Sequence, residues 1–212
     1  MAITVTADIV GSRQLADRAG AQRQIDETVL RVETAMPLAA QPLLPTVGDE
    51  QQGVYPTLPS ALLATLLLRL ALPEGIDLRF GIGVGTVDMI AARGGALPEG
   101  PAWWAARAAI DHVHDLQQRR APLSRTWVVA AVGQDEVPMG EIRLANAYLL
   151  ARDELVGAMS ERSRRLTYGR CLGQTQAALA AEEGISQSAV SQALRTAGAA
   201  ALIEGCRSLQ EA

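Results

Sequence analysis

The stretch "RFGIGVG", residues 79–85, constrains this chain more than any other segment. It alternates with the period of a strand, placing Phe80, Ile82 and Val84 on one face and Gly81, Gly83 and Gly85 on the other. A face of three glycines carries no side chains, so another backbone or a ligand can approach it closely.

A second alternating segment, "ITVTADIV", opens the chain. Ile3, Val5, Ala7 and Ile9 fall on one side; Thr4, Thr6 and Asp8 fall on the other, with Asp8 near the strand's end. Residues 21–36 space Ile25, Val29, Val32 and Met36 as one helix face, and Pro37 stops it. Residues 42–56 read as two short strands around Gly48, Asp49 and Glu50. A strongly apolar helix follows over residues 57–72. After the loop "ARGGALPEG", Pro101 suits the first position of a helix that runs to about Arg119. Residues 126–132 give a last strand, and a long helical stretch begins near Met139. The order predicts an α+β fold whose sheet is covered by helices on one face.

Composition bears on partners. The net charge is −4, and all 19 basic residues are arginine. Residues 1–159 hold 13 arginines against 18 acids, and residues 160–212 hold 6 against 5, so any contact with nucleic acid must be local. Cys171 and Cys206 lack zinc-site spacing and read as buried thiols. The run "ALLATLLL" ends at Arg69, well short of the ~18 apolar residues of a membrane span. The N-terminus has no cationic leader, and the expected location is the cytoplasm. His112 and His114, two apart on a helix, point about 200° apart and read as a solvated face.

The tail carries the clearest motif. In "LGQTQAALAAEEGISQSAVSQAL", Leu179, Ala180, Gly184, Ile185, Val190 and Leu194 occupy the core and turn positions of a helix-turn-helix. Ser186 caps the second helix. Ser186, Gln187, Ser188, Ser191, Gln192 and Arg195, with Thr175 and Gln176 at the start of the first helix, are the candidate DNA contacts. Arg162, Arg164 and Arg165 form a cluster placed to touch phosphate, and Glu182 and Glu183 are expected to face solvent. The stretch resembles the DNA-binding domains of sigma-factor region 4 and LuxR-type regulators, and near-neutral charge argues for two copies on double-stranded DNA.

Four stretches resemble class III nucleotide cyclases in family order: "ADIVGS" at 7–12, "VGDE" at 47–50, "RFGIGVGTV" at 79–87 and "GPAWWAARAAID" at 100–111. The resemblance implies a ferredoxin-like βαββαβ sheet domain over residues 1–158, followed by an all-α helix-turn-helix domain over 159–212. It also implies Mg²⁺ with a purine nucleotide on Asp8 and Asp49, joined by Glu50, with Arg107 on the transferred phosphate and a site formed in a homodimer. Gly100 and Trp103 join Arg107 as nucleotide contacts, the helix N-terminus at residues 100–102 receiving a phosphate. Trp103 and Trp104 either stack on a base or fill the core. The chain departs from the cyclases at Pro45, where the purine-reading lysine falls, and at Trp103, where the transition-state asparagine falls. Losing such groups costs about 10²- to 10³-fold each in rate, which points to a sensor rather than an enzyme. As a whole the chain resembles the SatD family. The leading expectation is a nucleotide-sensing, DNA-binding transcription regulator. The alternatives are an active nucleotidyl cyclase or related phosphotransferase with a regulatory tail, and an assembly protein in which "GDE" is a polar turn.

Overall fold

The computed structural model describes residues 1–46, 48–92, 95–133 and 139–212, with the side chains of residues 88–98 outside that description. Strand β1 (Ala2–Ile9) leaves through a short 3₁₀ turn at Ser12–Gln14 into α1 (Arg18–Ala35), whose N-cap Asp17 accepts the Gly20 amide at 2.7 Å. Strands β2 (Gln41–Pro45) and β3 (Glu50–Tyr55) form a hairpin around Gly48, whose φ of 79° is open to glycine without strain. Helix α2 (Leu58–Ala71) starts on a capping box between Thr57 and Ser60 and leads to β4 (Leu78–Gly85). A second antiparallel pair follows, β5 (Asp88–Ala92) and β6 (Gly95–Glu99), of which β6 stands where the sequence reads as a loop. Helix α3 (Pro101–Arg119), β7 (Thr126–Ala130) and α4 (Met139–Gly157) follow. Four helices then close the chain: α5 (Glu161–Cys171), α6 (Gln176–Glu182), α7 (Gln187–Thr196) and α8 (Ala199–Gln210).

The main sheet has the order β2-β3-β1-β4-β7, with β1 antiparallel to both neighbours and β7 parallel to β4. The α+β class of the sequence reading stands. Its placement of helices does not, because helices cover both faces. Ile3, Val5, Phe80, Ile82 and Val84 share one connected core with the leucines of α2 and with Ile25, Val29 and Val32 of α1. The glycine face receives α3. A Cβ on Gly81 or Gly83 would overlap the backbone carbonyls of Ala106 and Ala102, so the helix backbone lies directly on the strand. The Thr4 hydroxyl, one strand over, donates to the Ala102 carbonyl at 2.9 Å and fixes that contact.

The apolar run of α2 is buried on all sides for a reason only the tail supplies. Helix α2 faces the sheet with one side, and α5 and α8 lie against it elsewhere. One set of touching buried side chains runs from Ile3 through Leu66 to Leu166, Leu202 and Cys206, continuous across residues 158–159. Cys171 and Cys206 are free and buried, as expected, with the Cys206 thiol 3.9 Å from the Cys171 carbonyl.

Two polar devices tie α4 to this core. The Asn146 amide takes both backbone groups of Val128, at 2.8 and 2.9 Å, and so closes the outer edge of β7. Deeper, Asp153 accepts the backbone amides of Arg125 and Thr126 at 2.6 and 2.7 Å on one oxygen. Its other oxygen meets Arg69 at 2.6 Å and Arg152 at 2.8 Å. Arg152 and Asp153 are fully buried. Burial alone would push the Asp153 carboxyl up, but Arg152, Arg69 and the Arg125 amide outweigh it and hold the group below its ordinary value. No helix among the described residues is long and apolar enough to cross a membrane.

Candidate functional site

Asp8 occupies the last position of β1 that is paired on both sides, directly between Glu50 on β3 and Arg79 on β4. Alternation turns it away from Ala7 and Ile9, and Arg79 meets it as a two-pronged fork at 2.9 and 3.1 Å. The third prong of Arg79 donates to Gln117 of α3 at 3.2 Å, so sheet and helix are joined at this point. Beside the pair lies an open cavity of about 720 Å³. Its walls include Asp8, Asp49, Arg79, the turn at Gly11–Ser12–Arg13, and His114 and Gln117 of α3. Gly11 adopts φ 68°, which lets the chain swing from the strand into the 3₁₀ turn and expose that wall.

The expected acids thus separate. Asp8 and Asp49 share the cavity, and Asp49 takes no hydrogen bond from the described residues. Glu50 does not line the cavity; it accepts from Arg107 and from Gln52, the latter at 2.9 Å. Of the expected nucleotide contacts, Gly100, Trp103 and Arg107 also lie off the cavity wall. Arg107 sits seven residues before His114, which is about 10 Å along the helix axis. Gly100 is the N-cap of α3, but the Ala102 amide donates to Thr86 at 3.1 Å, and the Trp103 and Trp104 amides both donate to the Gly100 carbonyl. Those three amides are therefore already engaged. Trp103 fills the core, its indole N–H without a partner among the described residues, whereas Trp104 is 64% exposed.

Sequence reasoning passed over Arg79 and Gln117 and read His114 only as part of a solvated face. The signal for Arg79 was present, since it precedes the glycine alternation, but only the β1–β4 register sets it opposite Asp8. The expectation of a solvated histidine face holds in that His112 and His114 are both exposed, and the structure adds a neighbour to each. His114 lines the cavity, and His112 stacks on Trp127 with ring centroids 4.4 Å apart.

The tail offers a second surface. Leu179, Ala180, Val190 and Leu194 are buried, and Gly184 makes the turn between α6 and α7 with φ 65°. The Thr175 and Ser186 hydroxyls cap α6 and α7 by accepting the Ala178 and Ala189 amides at 3.1 and 3.2 Å. Gln187, Ser188, Gln192 and Arg195 of α7 are exposed, and Ser191 and Gln176 are half-buried. The solvated reading of Glu183 is corrected. Arg165 forks it at 2.8 and 3.0 Å, which holds its carboxyl below the usual range, and it is only 15% exposed.

A model described as the SatD family matches residues 2–125, more than half of the chain. The chain belongs to the SatD family. No curated protein matches it in sequence. Among solved structures it is similar to adenylate cyclases from Trypanosoma brucei in their monomeric state, at 15% identity and TM-score 0.43, over 53% of this chain and 68% of that one. It is similar to a bacterial light-regulated adenylyl cyclase at 12% identity and TM-score 0.44, over 60% of this chain and 42% of that one, under half its length. It is also similar to the adenylyl cyclase CyaB from P. aeruginosa at 13% identity and TM-score 0.39, over 52% and 71%. Those activities belong to the neighbours.

The donor set of this SatD-family site sets what cation it suits. Among the described residues no three His, Cys, Asp or Glu side chains gather as a metal site. Two carboxylates on one cavity fit Mg²⁺ that shares its shell with phosphates and do not fit an all-protein metal cage. Asp8 and Asp49 would hold such an ion, which supplies charge neutralisation to the phosphates. Arg79, itself on the cavity wall, fixes the orientation of Asp8 through both of its oxygens.

Proposed function

We propose that this SatD-family chain is a DNA-binding transcription regulator. Residues 159–212 act as a helix-turn-helix domain on double-stranded DNA. Residues 1–158 act as a ferredoxin-like, cyclase-like domain that pairs two copies and takes a purine nucleotide with Mg²⁺. One observation carries the reading: α7 buries Val190 and Leu194 while presenting Gln187, Ser188, Gln192 and Arg195 to solvent. A surface of amides, hydroxyls and a guanidinium on a capped helix matches the donors and acceptors of base edges in a major groove. Two copies would set two such helices about 34 Å apart on a palindromic site.

Fluorescence anisotropy with labelled duplex DNA tests it. The full chain binds with an affinity that falls as salt rises, and Arg195→Ala weakens specific binding about tenfold, the effect of losing roughly 1.4 kcal/mol at one base or phosphate contact. Absence of salt-dependent binding to any duplex overturns the DNA half.

The cavity beside Asp8 and Asp49 supports the nucleotide half, since about 720 Å³ lies within the size range of small-molecule sites. ATP or GTP with Mg²⁺ raises the melting temperature of the wild type, and Asp49→Ala abolishes the shift. Equal shifts in both proteins, or none, remove Asp49 from the site. Release of pyrophosphate in the same wild-type samples, lost in the variant, moves the reading to an active nucleotidyl cyclase or phosphotransferase. The sharing of one cavity by Asp8 and Asp49 is what favours that second reading.

A further inference from the structure

We infer that the DNA phosphate backbone is gripped by a cationic recess of Arg170, Arg195 and Arg207, and not by the Arg162–Arg165 cluster. The inference rests on the DNA-binding reading and assigns Arg170 and Arg207, on α5 and α8, to that surface.

The tail's six arginines divide into two sets. Arg165 is bound by Glu183 and, at 2.9 Å, by Glu161, and Arg162 approaches the same Glu183 at 3.8 Å. Arg164 is half-buried, its Nε enclosed without a partner among the described residues. Arg162 and Arg165 are exposed but share the largely buried Glu183, which joins α5 to the end of α6 and ties their charge to a carboxylate. The other set lines one open recess of about 340 Å³. Arg170 and Arg195 form no ion pair among the described residues, and Arg170 donates only to the backbone carbonyl of Gln174. Arg207 meets Glu204 at 2.6 Å, with both side chains more than half exposed. An exposed pair of this kind contributes little in water and exchanges readily for a phosphate partner.

The chemistry of the recess suits a phosphodiester. Three guanidinium groups face one carboxylate, and planar N–H forks match phosphate oxygens. Gln176 and Ser191 on the same wall add neutral donors. Ser191 and Arg195 stand one turn apart on α7, beside the row of Gln187, Ser188 and Gln192. A phosphate held there would therefore flank the bases that row faces. The chain carries a net charge of −4, so a local group of three arginines facing one carboxylate is what allows it to approach a polyanion.

The slope of log affinity against log salt measures the phosphates neutralised. For the full chain on duplex DNA, Arg170→Ala and Arg207→Ala each make the slope shallower by about one. Arg170→Lys and Arg207→Lys keep it, because the charge remains. Arg165→Ala leaves the slope unchanged and instead lowers the melting temperature. Wild-type binding with slopes unmoved by Arg170→Ala and Arg207→Ala, but reduced by Arg162→Ala or Arg165→Ala, overturns the assignment while the DNA-binding reading survives. No duplex binding by the wild type overturns both. A slope lost in the alanine variants and not restored by lysine shows packing, not phosphate contact, and also overturns it.

Discussion

Asp153→Asn lowers the unfolding free energy by about 3–5 kcal/mol and the melting temperature by about 10 °C. The carboxylate is fully buried and is the only acid touching Arg69 and Arg152 among the described residues, themselves 5% and 0% exposed. An asparagine keeps the shape but leaves two enclosed guanidinium groups without a counter-charge. It also turns a donor toward a cluster of donors that includes the Arg125 and Thr126 amides. The effect reaches the whole molecule because the cluster ties α4 to α2 and β7. Urea unfolding of the two proteins measures it. The same carboxyl titrates below its unfolded value, so its contribution is complete above about pH 4 and is lost as the pH falls through the folded value. The wild type accordingly loses more stability on acidification below pH 4 than the variant does. Equal stability of the two proteins would show that the buried pair merely offsets its own desolvation.

Gly83→Ala lowers stability by about 3 kcal/mol, and Gly83→Val leaves little folded protein. An added Cβ meets the Ala102 carbonyl, the Ala106 amide and the Thr4 hydroxyl, two of them backbone atoms that no rotamer change can move. Helix α3 must then rise from the sheet, losing the Thr4–Ala102 hydrogen bond and the burial of Ala102, Ala106 and Ile110. Gly48→Ala is the comparison, because its φ of 79° penalises a side chain but nothing stands within 4 Å of the added atom. Chemical denaturation that ranks Gly48→Ala as the costlier change would mean that α3 is seated less closely than its contacts show.

What could be read in advance follows from the range of the forces involved. The period-two alternation of β1 and β4 and the apolar spacing of α1 are local, and the structure reproduces them closely. So are the caps of α6 and α7, where Thr175 and Ser186 bond amides three residues on. Strand β6 was missed because the glycine-containing stretch before Pro101 read as a loop. At the candidate site, Asp8 and Asp49 were expected to act together, and both line one cavity. Glu50 went elsewhere because Arg107, 57 residues away, claims it. Arg165 and Glu183 hid one another in the same way, each appearing as a free surface charge until the tail folds.

The sequence by itself determined which residues line each face of each strand and helix, because side-chain direction follows from backbone period alone. It also determined that "RFGIGVG" must admit something to its bare face. Only the tertiary structure decided that the visitor is the backbone of α3, that Arg79 stands directly against Asp8, and that Arg170, Arg195 and Arg207 line one recess of the tail. Charges act through space and choose partners by distance after folding, so their pairing is written in no local pattern of the chain.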